Sequence, residues 1–149
     1  MNIFSFTGLL MSVSCVALGV FSIIRAEKKA HYLCGIFFLA VSLWGLGVYY
    51  IGISKDVSES VFWWKVAYIG VILIPFLFTH FVIEFLGLKK AIILPLYGLA
   101  IFFLYVNLLT NLFIDKLRFV FGQFYYLTPS FLYNAFVVVF ILLIIYSHA

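Results

Sequence analysis

Residues 61–86, VFWWKVAYIGVILIPFLFTHFVIEFL, decide the fold of this chain. Apolar and aromatic side chains fill the stretch without the two-residue alternation of a strand, and its length suits a helix that crosses a bilayer. Such a helix needs roughly 20 residues to span about 30 Å of hydrocarbon. Its ionisable groups are few: Lys65 near the start, and His80 and Glu84 one helical turn apart near the end. Ionisable groups are costly at membrane depth and usually face away from lipid. The four-residue spacing puts His80 and Glu84 on one helix face, where they can share a hydrogen bond or look into one cavity. Pro75, just above them, lacks an N–H and frees a carbonyl that either role can use.

The remainder of the sequence carries the same signal. Its 149 residues are 67% hydrophobic, 21% aromatic and 9% charged, with mean hydropathy +1.27, far more apolar than a soluble core of this size requires. Four more apolar segments cover residues 3–24, 32–53, 91–114 and 130–147. Each is apolar on every face, unlike the alternating strands of a membrane barrel. The expectation is an all-α, polytopic transmembrane helix bundle of about five spanning helices, with no room for a soluble domain in its connections. The first segment lacks the basic leader and small-residue cleavage site of a signal peptide, so it is expected to stay in the mature protein.

Lys and Arg set the expected topology. Arg25, Lys28 and Lys29 fall in the first connection and Lys89 and Lys90 in the third, against Lys55, Lys116 and Arg118 in the second and fourth. The excess places the first and third connections in the cytoplasm and the N-terminus outside. The net charge of +4 is spread over short loops, which excludes a nucleic-acid-binding surface. Cys15 and Cys34 sit at different depths, which argues against a disulfide.

Two patterns of residues suggest how the helices meet and what they recognise. Gly8, Ser12, Cys15, Gly19 and Ser22 form a small-residue stripe on the first helix, and Gly35, Ser42, Gly45 and Gly52 form another on the second. Small residues let helix backbones approach where lipid gives no hydrophobic drive, so the two helices are expected to pack together, with Gly8, Ser12, Gly19 and Gly45 at the seam. Asn107, Asn111 and Asp115, spaced by four, read as a polar ladder on the fourth helix, with Lys65 at a similar height and available to pair with Asp115. Tyr49, Trp63 and their aromatic neighbours surround them. This set is either an aromatic interfacial belt or an outward-opening ligand cleft, in which Lys65, Asn107, Asn111, Asp115, Tyr49 and Trp63 are the candidate sensing residues. Pro75, His80 and Glu84 are the candidate intramembrane coupling residues. No phosphate loop, metal-ligand spacing among His31, His80 and His148, or nucleophile with a nearby base is present, so neither an enzyme nor a bound metal or cofactor is expected.

Several stretches together resemble a known family. Residues 37–49 (FFLAVSLWGLGVY), 62–70 (FWWKVAYIG), Ile74-Pro75, 81–87 (FVIEFLG), 110–114 (TNLFI) and 122–126 (GQFYY) resemble, in order and spacing, the seven-helix N-terminal sensor region of bacterial histidine kinases. The resemblance implies one sensor-like domain over residues 1–149 in the bacterial cytoplasmic membrane. It also implies an outside N-terminus and a cytoplasmic kinase or other output domain as partner; a second copy of the chain is a further candidate partner. The family has seven helices, whereas Tyr146-Ser147-His148-Ala149 comes as the fifth would emerge, so a truncated or partial sensor region is expected. Two functions fit: a sensory input module of a signalling protein, without its catalytic output domain, or a small transporter-like or accessory membrane protein that uses His80 and Glu84.

Overall fold

The computed structural model describes residues 2–148. Five helices form the body: α1 (Ile3–Ile24), α2 (Lys29–Ile53), α3 (Val57–Leu86), α4 (Ile93–Leu109, entered through a 3-10 turn at Lys90–Ile92) and α5 (Phe131–His148). All five are long and apolar enough to cross a membrane, counting the 3-10 turn with α4. An antiparallel hairpin, β1 (Ile114–Val120) and β2 (Phe124–Pro129), joins α4 to α5. α3 lies at the centre, against α2, α4, α5 and the hairpin, and buries residues along its whole length, whereas α5 buries only Phe136.

The helix ends reflect local chemistry. Asn2 caps α1, accepting from the Ser5 N–H at 2.8 Å, and its amide donates to the Gly52 carbonyl at 3.0 Å, tying the start of α1 to the end of α2. α3 begins at Val57, ahead of its apolar stretch, because Asp56 accepts the Glu59 N–H at 2.9 Å and the Ser58 hydroxyl at 2.8 Å. Those bonds, the Glu59 amide first, hold the Asp56 carboxyl below the usual carboxylate range. A depressed folded-state pKa makes the cap stabilising above the unfolded carboxylate value and loses that contribution as pH falls through the folded one. Thermal unfolding of wild type should therefore lose a small component between neutral pH and about pH 3 that Asp56→Asn, a pH-independent cap, does not. Equal acid sensitivity of the two proteins would refute this assignment.

Small residues set the α1–α2 and α2–α3 distances. A Cβ added to Gly45 would lie 2.8 Å from both the Gly8 carbonyl oxygen and the Ser12 nitrogen, and one added to Gly19 would lie 3.0 Å from the Gly35 oxygen. Gly47 meets Ala67 and Gly70 meets the Ala40 carbonyl in the same manner, a second close seam beyond the one expected between the first two helices. Cys15 and Cys34 are free.

The fourth segment departs from expectation. The helix expected over 91–114 ends at Leu109, so Asn111 lies beyond it and Asp115 stands in β1; the four-residue ladder Asn107–Asn111–Asp115 does not exist as a helix face. Thr110 turns the chain to extended backbone, its hydroxyl bonding the Val106 carbonyl at 2.6 Å and accepting the Leu112 N–H at 3.2 Å. Such local side-chain bonds compete with continued helix. Beyond this point the chain is strand: residues 114–120 and 124–129 are rich in β-branched and aromatic side chains, and Phe121 and Gly122, with φ of 54° and 64°, make the turn. The Gln123 N–H closes it on the Val120 carbonyl at 3.1 Å. The connection expected to be an outer loop is therefore this hairpin, and its Phe124 stacks on Phe4 of α1 with centroids 4.1 Å apart.

Candidate functional site

Two polar clusters hang on α3, one towards each end. At the hairpin end, the Lys65 ammonium donates to the Thr110 carbonyl at 3.1 Å and to Asn111 Oδ1 at 3.4 Å. Lys65 thus sets a cation against the carbonyl end of α4, where the helix dipole favours one. Asn107, fully buried, donates from Nδ2 to the Lys65 carbonyl at 2.9 Å. Lys65, Asn107 and Asn111 therefore come together as the sequence suggested, through a helix end rather than a helix face. The Asp115 side chain lies outside the described residues, and with it the Lys65–Asp115 pairing.

Tyr49 and Trp63 stand apart from that cluster, in an aromatic run where Trp63 stacks on Tyr50 at 3.9 Å and Tyr49 meets Tyr50 edge-on. Trp64 is better placed than Trp63 to link elements: its indole N–H donates to the Tyr125 carbonyl at 2.9 Å, bolting β2 to α3. Trp64, Tyr68 and Val71 line one side of a cavity of about 330 Å³. Their spacing of four and three residues was readable as one helix face; the opposing walls, contributed by distant segments, were not.

At the other end of α3, His80 Nδ1 and the Tyr97 hydroxyl are 2.9 Å apart, and His80 is 7% exposed. Thr79, one residue earlier, bonds the Pro75 carbonyl at 2.8 Å and the Ser147 hydroxyl at 3.0 Å, so adjacent residues tie α3 to α4 and to α5. Glu84 receives Lys90 at 3.0 Å and Lys29 at 3.8 Å. His80 and Glu84 share a face yet bond to different partners, and neither Tyr97 nor Ser147 was foreseeable from spacing within α3. Five basic residues, Arg25, Lys28, Lys29, Lys89 and Lys90, gather in and beside the connections at this end. Among the described residues no group of His, Cys, Asp and Glu is arranged to hold a metal ion.

The family described as the N-terminal 7TM region of histidine kinase matches residues 8–149. No curated protein and no solved structure matches the chain.

Proposed function

Since the chain belongs to the family of the N-terminal 7TM region of histidine kinases, we propose that it is the sensory input module of a bacterial two-component signalling protein and has no catalytic role of its own. It would lie in the cytoplasmic membrane with the N-terminus and hairpin outside and the basic connections inside, following the bias of Lys and Arg. The partners implied are the bilayer, a cytoplasmic kinase or other output domain, and a second copy of the chain. Transport through His80 and Glu84 is disfavoured by the geometry of Glu84, which two lysines neutralise at a helix end.

One observation carries this reading: a single central helix holds both polar clusters and touches α2, α4, α5 and the hairpin. A stimulus at Lys65, Asn107, Asn111, Tyr49 or Trp63 would alter the packing of α3, and Pro75, His80 and Glu84 would pass the change inward. Sensing of this kind requires two packing states that the stimulus weights differently.

Reporter fusions at Glu27, Ser58, Lys90 and Gln123 should report Glu27 and Lys90 inside and Ser58 and Gln123 outside; the reverse pattern would overturn the orientation. The function itself is tested with the chain fused ahead of a cytoplasmic histidine kinase. Trp64→Phe, which unbolts the hairpin from α3, should change autophosphorylation in membranes several-fold while expression is retained, a size expected from the loss of about 1 kcal/mol of one hydrogen bond. Kinase output indifferent to this change, and to deletion of the hairpin, would sink the sensory reading.

A further inference from the structure

We propose that the cavity between α1, α2, α3, α5 and the hairpin is a binding site for a small, neutral, mainly aromatic molecule bearing one hydrogen-bonding group. Its meaning for signalling rests on the sensory reading above; the binding site itself does not.

The walls come from α1, α2, α3, α5 and β2. Trp64 and Tyr68 of α3 face Trp44 of α2, with Phe4 of α1, Tyr133 of α5 and Tyr126 of β2 completing the ring. At about 330 Å³ the space falls in the range of small-molecule pockets, roughly 300–1,000 Å³, and far exceeds the water-sized voids usual in packed interiors. Trp44 and Tyr126 are 37% and 44% exposed while Trp64 and Tyr68 are 5% and 6% exposed, so the first pair flanks the mouth and the second forms the floor.

The lining chooses the ligand class. Aromatic rings dominate it, and rings pair favourably with other rings in offset or edge-to-face geometry. Ring faces attract an organic cation by about 2 kcal/mol when desolvated, but among the described residues no carboxylate lines the cavity, so that gain alone would have to offset the ion's lost hydration. Lys65 is directed to the end of α4, and Arg118, paired with Tyr126 across the hairpin, lines a neighbouring pocket rather than this one, so among the described residues no cation lines the cavity to receive an anion. The hydroxyls of Tyr68 and Tyr133 interact with each other, and because a hydroxyl both donates and accepts, a molecule with one polar group can join that pair without burying an unmatched charge. The site is also wired to the fold, because the indole of Trp64 presents its ring to the cavity and its N–H to the Tyr125 carbonyl.

The test uses the full chain in phosphatidylcholine nanodiscs and three probes on one fused two-ring frame: naphthol, its saturated analogue decalol, and naphthylmethylammonium, a cation of similar size. Equilibrium dialysis against nanodiscs without protein removes lipid partitioning. Naphthol should bind saturably and raise the unfolding midpoint, with decalol and the cation weaker by about tenfold. Val71→Phe, which fills the cavity, should weaken naphthol by at least about tenfold, and Tyr133→Phe, which removes only a hydroxyl, by a few-fold. Should Val71→Phe fail to fold, Tyr133→Phe and Trp44→Leu read the walls of the same cavity. Absence of saturable naphthol binding, or equal binding by wild type and the folded variants, overturns the proposal. Binding that leaves a fused kinase unmoved would instead count against the sensory reading while leaving the site in place.

Discussion

Gly45→Leu is expected to cost the protein most of its membrane accumulation, whereas Val13→Leu, at a position 61% exposed on α1, is expected to leave it unchanged. Even a single carbon at Gly45 would stand 2.8 Å from the Gly8 oxygen and 2.8 Å from the Ser12 nitrogen. Those are backbone atoms, so no rotamer change relieves the clash and the helices must part. Parting them also strains the bond from Asn2 to the Gly52 carbonyl and the contact of Gly19 with Gly35. Overpacking a well-fitted interior costs about 1–3 kcal/mol, and more where backbone has to move. In a bilayer no hydrophobic effect compensates, because lipid solvates the separated faces as well as protein does. Unfolding in detergent and the amount of folded protein in membranes measure the effect. Equal behaviour of the two variants would mean that the α1–α2 seam contributes nothing to the fold.

That seam was legible because it is written as a period of small residues within two neighbouring helices, and helix periodicity is a local property. The length and apolarity of the five spanning segments were legible for the same reason. The end of α4 was not. Asn107, Asn111 and Asp115 have helical spacing, but spacing constrains geometry only while the helix continues, and Thr110 ends it through bonds that compete with the helical pattern. The hairpin was obscured because its strands are short and its turn, Phe121-Gly122, lacks the Asn-Gly or Asp-Gly pair that marks such turns most strongly. Partners across helices were also out of reach: nothing local to His80 points to Tyr97, and nothing near Thr79 points to Ser147. Lys65 shows the same limit. Its position beside the polar residues could be read, but its acceptor is the backbone of Thr110, which has no signature in side-chain chemistry.

Lys65→Met is expected to destabilise the protein by about 1–2 kcal/mol and to shift the output of a fused kinase, with Lys65→Arg restoring much of both. The ammonium closes the carbonyl end of α4 at a point where the helix gives way to the hairpin, so its loss leaves an acceptor unmet and loosens the join between them. Methionine keeps the stem and apolar volume, which isolates the charge and its bonds as the cause. Glu84→Gln, at the opposite end of α3, removes the carboxylate that Lys29 and Lys90 share and therefore changes how α2, α3 and the start of α4 are held together. Because the lysines are more than half exposed, water can take them up, and the stability cost should be small. The two variants thus separate two roles: Lys65→Met should alter the response at the hairpin end together with stability, while Glu84→Gln should alter basal output with little loss of fold and no loss of naphthol binding in the aromatic cavity. Coupling between distinct sites permits that separation, since a bias between packing states need not touch the atoms that bind. Loss of binding in Glu84→Gln, with Lys65→Met indistinguishable from wild type in stability and output, would reverse the roles assigned to the two ends of α3.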